Sequence, residues 1–340
     1  MLDKINLAVV GVGYWGKNVL RAFHALPDCQ VVYAVDLDET RLQTVKKLYP
    51  SVQATADYEK VLGDPSVHAV AIATPSRLHF PLAKLALEAG KHTFVEKPLA
   101  LHSEEARYLI SLSIRQEKKL MVGHLMRYHP VVEKMKEMLD RGELGDLYYI
   151  CSSRVNLGIV RQDENALWSL ALHDLSIILY LLEQMPESVR AIGQNYLQPG
   201  VEDVVFLNLL FSDGKMAQVH ASWLDPRKER KMTLVGNKKM IVFDDTEAVE
   251  KLRIYDKGVD RAREFGSYAE FLTLRNGDIH IPHLQMEEPL KRECQHFVDC
   301  IEKDLVPLTD GQDGLRVVRV LEMAQESLDK GGIPITICRR

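Results

Sequence analysis

Three short stretches of the chain carry residue types at spacings that could do chemistry. In "LAVVGVGYWGKN", residues 7–18, an apolar run leads into Gly11, Gly13 and Gly16 with the spacing GxGxxG. In "TFVEKPLAL", residues 93–101, Glu96 and Lys97 stand directly before Pro98. In "LWSLALHDLSIILYLL", residues 167–182, His173 and Asp174 interrupt an apolar helical pattern. A glycine loop that opens a helix holds phosphates on backbone amides. A lysine can hydrogen-bond an alkoxide-like oxygen, and a histidine is poised near neutral pH to remove a hydroxyl proton. Oxidation of a secondary alcohol with a nicotinamide dinucleotide calls for this combination.

Each glycine has a mechanical reason. Gly11 permits the tight turn, Gly13 lets backbone N–H groups reach a pyrophosphate, and Gly16 allows close packing of helix on strand. The pattern alone is weak, but here it follows a strand, opens a helix and precedes a second strand ending in Asp36. The amides of Tyr14 and Trp15 would face the phosphates, leaving their side chains free to cover them or pack on the rim. A carboxylate at Asp36 accepts hydrogen bonds from the ribose hydroxyls of NAD. It would repel the 2′-phosphate of NADP, by about 4 kcal/mol per unit charge at 4 Å in a surface-like dielectric. Arg41 could offset part of that, or be a solvated helix residue. The loop reads as an NAD site.

The elements that must position these residues alternate. "INLAVVG", "CQVVYAVD", "VHAVAIATP", "KHTFVEKP" and "KLMVGH" are apolar nearly throughout, and amphipathic helical patterns separate them. That describes a parallel sheet covered on both faces, an α/β Rossmann domain over residues 1–123. Lys97 then stands at the carboxyl end of a parallel strand, the edge where such sheets bind ligands. Pro98 holds it out of helical geometry. A solvated lysine in a strand–helix loop has the same local sequence.

After His124 the texture changes. Several strands follow one another, with "SDGK" and "GNKK" as hairpin turns. Residues 124–340 are therefore expected to form an α+β domain with a large open, mostly antiparallel sheet. "RVNLGIVRQDENALW" gathers Arg154, Asn156, Arg161, Asp163, Asn165 and Trp168 between a strand and a helix. Cations and amides suit a diphosphate and an acetamido sugar, though a solvated loop has the same composition. Arg127 and Tyr128, just after the last strand of the first domain, are further cleft candidates. "EPLKRECQHFVDCI" reads as a packed amphipathic helix with Cys294, Phe297, Cys300 and Ile301 as its core stripe.

The composition narrows the classes. A formal net charge of −5 over 340 residues gives no footprint for nucleic acid or an anionic membrane. No apolar run is long enough to span a bilayer, and the N-terminus goes directly into a strand. Five scattered cysteines without a CxxC pair fit a reduced, cytoplasmic protein. His280 and His283 in "HIPH", and the pair His124 and His129, lack a third ligand at metal-site spacing, so no metal is expected.

GVGYWGKN, TPSRLH, EKP and LHDLSI occur in this order, and the chain resembles the Gfo/Idh/MocA oxidoreductase family over essentially its full length. "GYWGKN", "WSLALHDLSIILYLL" and "EPLKRECQHFVDCI" are similar to its nucleotide-sugar branch. The resemblance implies that Gly11, Gly13, Trp15, Gly16 and Asp36 contact the dinucleotide. It implies that Thr74, Pro75 and His79 line the nicotinamide half, and that Glu96 and Lys97 meet nicotinamide ribose and substrate, often with a cis bond before Pro98. His173 becomes the acid/base. Many members carry an Asp four residues before it; here that position is Ser169, also counted among the substrate-contact candidates. Either Asp174 or another carboxylate compensates, or catalysis is weak, or the protein binds NAD without turnover. The expected substrate is a UDP-N-acetylhexosamine-type nucleotide sugar oxidised at a secondary hydroxyl, with a polyol or monosaccharide of inositol type as the alternative. A homo-oligomer, dimer or tetramer, is expected to cover the open sheet.

Overall fold

The structure, a computed structural model, describes residues 4–158, 160, 164–261 and 272–336. The chain forms two compact units. One runs to Tyr128 and adds Glu287–Arg319; the other is His129–Met286 with the residues from Val320.

In the first unit, β1 (Ile5–Val10), α1 (Gly16–His24), β2 (Cys29–Val35), α2 (Glu39–Leu48), β3 (Gln53–Thr55) and α3 (Tyr58–Gly63) are followed by β4 (Ala69–Ile72), α4 (His79–Glu88), β5 (His92–Glu96), α5 (Ser103–Arg115) and β6 (Leu120–Gly123). Their strands make a parallel sheet in the order β3-β2-β1-β4-β5-β6. Successive side chains of a strand point to opposite faces. In β1, Ile5, Leu7 and Val9 join the core under α1, and Ala8 and Val10 join the core under α4 and α5. Both faces are apolar because both are covered.

In the second unit, α6 (Pro130–Asp140) and β7 (Leu147–Val155) lead to a π-helical turn, Leu167–Ala171, that continues as α7 (Leu172–Leu182). Then come β8 (Ser188–Gln194), β9 (Val204–Leu210), β10 (Met216–Ser222), β11 (Glu229–Gly236), β12 (Met240–Asp244), β13 (Leu252–Arg261) and β14 (Leu272–His280). The chain closes with α8 (Pro289–Glu302), α9 (Gly311–Asp329) and β15 (Ile335–Thr336). Among the described residues the sheet order is β14-β13-β12-β11-β7-β10-β9-β8-β15. Every adjacent pair whose register is given is antiparallel except β7 with β10. The predicted hairpins close as read: Phe211 N donates to Lys215 O at 3.0 Å, and Gly236 N to Lys239 O at 3.1 Å. Val205, Leu207 and Leu209 of β9 face inward, while Phe206 and Leu210 are exposed.

One boundary differs from the expectation of a single division at 123/124. Helix α8 belongs to the first unit. Its Leu290, Cys294, Phe297 and Val298 join the core of β1 and α1, and Phe297 makes edge contacts with Phe23 at 6.1 Å and Phe94 at 5.8 Å. The stripe was legible as a core face; what it packs on was not.

Candidate active site

The glycine loop is shaped by contacts that exclude side chains. Gly11 has φ +85° and its N–H donates to Val35 O at 2.7 Å. A Cβ on Gly11 would lie 2.8 Å from Ala73 O, and one on Gly16 only 1.8 Å from Gly11 O. A Cβ on Gly13 would meet just the Arg41 guanidinium, at 3.3 Å. The turn therefore passes tightly between β1, β4 and the start of α1, and leaves Gly13 as the open position of the cradle. A dinucleotide phosphate fits this arrangement.

Asp36 follows β2 and is tied into the loop. Its Oδ2 accepts from Val12 N at 2.9 Å and its Oδ1 from Asp38 N at 3.0 Å. Asp38 caps α2 by accepting from Thr40 N and Arg41 N, which places Arg41 in the first turn. Arg41 Nη1 then reaches Asp36 Oδ2 at 3.3 Å and Oδ1 at 3.4 Å. Asp36, Arg41 and Gly13 are thus brought together.

Tyr14 and Trp15 part company. Tyr14 is 77% exposed, with Lys17 Nζ 5.6 Å from its ring centroid. Trp15 was expected to cover phosphates or pack on the rim. Its Nε1 instead donates to Glu96 Oε1 at 2.6 Å. Glu96 is buried, and its other oxygen accepts from Lys97 N at 3.3 Å. Burial pushes the Glu96 carboxyl up to about 7, against the pull of the Trp15 hydrogen bond and the Lys97 charge. Lys97 is partly exposed and is joined to Pro98 by a cis peptide bond. His79 ties this segment to the loop after β4: Nδ1 is 2.6 Å from Pro98 O and Nε2 is 2.9 Å from Thr74 O. Pro75 precedes the short turn Ser76–Leu78 that leads to His79.

Arg127 and Tyr128, expected to reach substrate, are committed inside the first unit. Arg127 Nη1 pairs with Asp313 Oδ1 at 2.6 Å, and Tyr128 Oη lies 3.1 Å from Thr309 Oγ1, all buried or nearly so. His124 Nδ1 takes the other Asp313 oxygen at 2.7 Å. Against the upward pressure of burial, these partners hold the Asp313 carboxyl below the usual range. His124 and Arg127 pin the first turn of α9 to the turn after β6, and Tyr128 holds Thr309 just before it.

In the second unit, His173 lies in the first turn of α7 and is partly exposed. The π-helical turn directly before it widens the helix at that point, and such turns are frequent at functional sites. Ser169 is buried within that turn. Asp174 points to the sheet: Oδ2 accepts from Arg154 Nε at 2.6 Å, and Oδ1 from Arg154 Nη2 at 3.2 Å and Ser152 Oγ at 2.8 Å. Both oxygens are engaged, so Asp174 fastens the helix to the sheet, and Arg154 is its partner rather than a free cation. Asn165 caps the turn by accepting from Trp168 N at 3.1 Å and donates to Glu202 and Gln325. Trp168 Nε1 also donates to Gln325, at 3.2 Å. These expected substrate contacts are local fastenings. Asn156 follows β7 and its amide nitrogen lies against Gly158. Arg161 and Asp163 lie outside the described residues. Among the described residues no group of three or more His, Cys, Asp or Glu is arranged to hold a metal, and no helix is long and apolar enough to cross a membrane.

Two family models match in sequence order. "Oxidoreductase family, NAD-binding Rossmann fold" covers residues 5–124, and "GFO/IDH/MocA C-terminal domain" covers residues 132–242. The chain belongs to the Gfo/Idh/MocA oxidoreductase family. Its first unit is an NAD(P)-binding Rossmann domain. The UDP-N-acetylglucosamine 3-dehydrogenase of Acidithiobacillus ferrooxidans is 26% identical over 92% of this chain and 94% of its own. The crystal structure of that enzyme superposes with a TM-score of 0.83 at 24% identity, over 96% of this chain and 99% of that one. GenD2 from gentamicin A biosynthesis, in complex with NAD, superposes with a TM-score of 0.83 at 22% identity, over 99% and 97% of the two chains. At these identities the two structures speak for the fold alone.

Proposed function

We propose that the protein is an NAD-dependent dehydrogenase that oxidises a secondary hydroxyl, C3, of a UDP-N-acetylhexosamine-type nucleotide sugar. The observation that carries the chemistry is Lys97, placed at the carboxyl edge of a parallel sheet whose neighbouring loop is a glycine cradle closed by Asp36. Likeness to a UDP-N-acetylglucosamine 3-dehydrogenase over nearly the whole of both chains supports the substrate class. Asp36, as a fixed carboxylate beside the cradle, favours ribose hydroxyls and hence NAD.

The loop amides, Gly13 and Asp36 would hold the dinucleotide, which supplies a hydride acceptor. Lys97 donates a hydrogen bond to the substrate oxygen and stabilises its developing charge. His173 removes the hydroxyl proton as the ketone forms. Arg154 and Asp174 keep the first turn of α7, and so His173, in place. The exposed Ile192, Phe206, Leu210 and Met216 on the outer sheet face suit contact with a second copy of the chain. Buried free thiols at Cys29, Cys294 and Cys300 suit a reducing, cytoplasmic compartment.

Turnover of UDP-N-acetylhexosamines with NAD, inhibited competitively by free UDP, is the expected result. Lys97→Ala should abolish turnover while NAD still binds. Oxidation of free monosaccharide or inositol, indifferent to UDP, would move the substrate to the polyol class. NAD binding with no hydride transfer to any sugar would make the protein a binder.

A further inference from the structure

Glu293 of α8 is fully buried, and among the described residues neither of its carboxyl oxygens has a hydrogen-bond partner. A buried polar group in that condition calls for an explanation. The titratable groups coupled to it come from three places: Glu96 on β5, Tyr128 after β6, and Cys294 on its own helix, which Cys29 of β2 acts on in turn. Among cations, Lys97 acts on Glu96 and Arg127 on Tyr128. Two carboxyl groups that interact in such surroundings cannot both ionise readily. Only Glu96 has donors, Trp15 Nε1 at 2.6 Å and Lys97 N at 3.3 Å. The negative charge therefore belongs on Glu96 and the proton on Glu293.

We propose that Trp15 and Glu293 are positioning residues for the Glu96–Lys97 segment. Glu293, a neutral acid, leaves Glu96 as the charged member, and the Trp15 indole holds that charge, locking the dinucleotide loop to the end of β5. The proposal rests on the reading of loop and Lys97 as one cofactor site. The lock is loose while Glu96 is protonated and tightens as it ionises, near neutrality. An ionised acceptor roughly doubles the strength of the indole hydrogen bond. Phosphate binding in the loop is thereby coupled to the position of Lys97. The Trp15→Phe variant removes the donor and keeps a ring.

The first test uses cofactor-free protein. The fluorescence difference between parent and Trp15→Phe should titrate near pH 7 and lose that titration in Glu96→Gln. A difference spectrum that is flat with pH, or unchanged by Glu96→Gln, would overturn the lock. The second test follows thermal unfolding from pH 5 to 9. The folded parent keeps a proton on Glu293 that the unfolded chain releases, so its stability falls as pH rises. Glu293→Gln, which cannot ionise, should show the shallower decline; Glu293→Met serves if that variant does not fold. Equal slopes would overturn the role of Glu293. With NAD added, the parent's affinity should tighten from pH 6 to 8 by at most roughly tenfold per unit. Trp15→Phe should lose most of that dependence, and superimposable profiles would overturn the coupling. A parent that binds no NAD at any pH would overturn the cofactor reading instead, and the first two tests decide the lock without it.

Discussion

Arg154 and Asp174 form a buried, two-point ion pair that fastens the first turn of α7 to β7. Removing one partner of such a pair leaves an uncompensated charge, at a cost of about 3–5 kcal/mol. Asp174→Ala should therefore destabilise the protein strongly, and Arg154→Met added to it should restore much of the loss. Urea unfolding of the two variants is the measurement. Asp174→Ala with parental stability would show that the pair does not hold the helix.

The glycines should separate by what a methyl group meets. Gly16→Ala drives Cβ to 1.8 Å from a backbone oxygen, so loop and α1 must shift and folding should suffer. Gly13→Ala meets only a flexible guanidinium at 3.3 Å, so the fold should survive while NAD affinity falls. Circular dichroism and NAD titration distinguish these outcomes. Equal behaviour of the two variants would contradict the cradle.

Asp36 and Arg41 oppose each other in cofactor choice. Asp36→Ala should narrow the preference for NAD over NADP, and Arg41→Ala should widen it by removing the cation that offsets the carboxylate. Both substitutions change the loop, since Asp36 also accepts from Val12 N, so ratios of affinity carry the comparison. Equal affinity of the parent for both cofactors would end the argument.

If His173 is the base, kcat/KM for alcohol oxidation falls on the acid side as the imidazole protonates. His173→Asn should then cost on the order of 10²–10⁴ in rate. With Asp174 engaged elsewhere, Ser169→Asp should move the acid limb to higher pH, because a nearby anion favours the protonated ring. A pH–rate profile that Ser169→Asp leaves unmoved would show that the two positions do not interact.

Asp245, after β12, gives an acid-stability signature. Burial alone would raise its carboxyl, but His129 and Lys251 hold it down to about 2. Its stabilisation is present above the ordinary value of 3.8 and is lost as pH falls toward about 2. The melting-temperature gap between parent and Asp245→Asn should therefore close across that interval. A gap that is constant with pH would assign the effect to packing.

The sequence made five of the six parallel strands and the glycine cradle legible because both rest on local signals, a run of apolar residues and a spacing of three glycines. The hairpins at "SDGK" and "GNKK" were legible for the same reason. Partners distant in sequence were not. Nothing near Trp15 points to Glu96, and nothing near Glu293 marks it as a buried acid facing another. Arg127, Arg154 and Asn165 looked like ligand-binding residues because cations and amides have the same letters whether they face a diphosphate or fasten a helix. The parallel pairing of β7 with β10 was hidden because alternation fixes which face is buried, but not which strand lies alongside.

The placement of α8 bears on the order in which the protein is made. The core formed by Phe23 of α1 and Phe94 of β5 is closed by Phe297, which leaves the ribosome long after residue 128. At about 5–20 residues per second, the interval is roughly 10–30 s. Throughout it, the nascent dinucleotide-binding unit presents an unfinished aromatic face. A fragment ending at Tyr128 should accordingly aggregate, and adding residues 287–302 in trans or through a short linker should rescue its solubility.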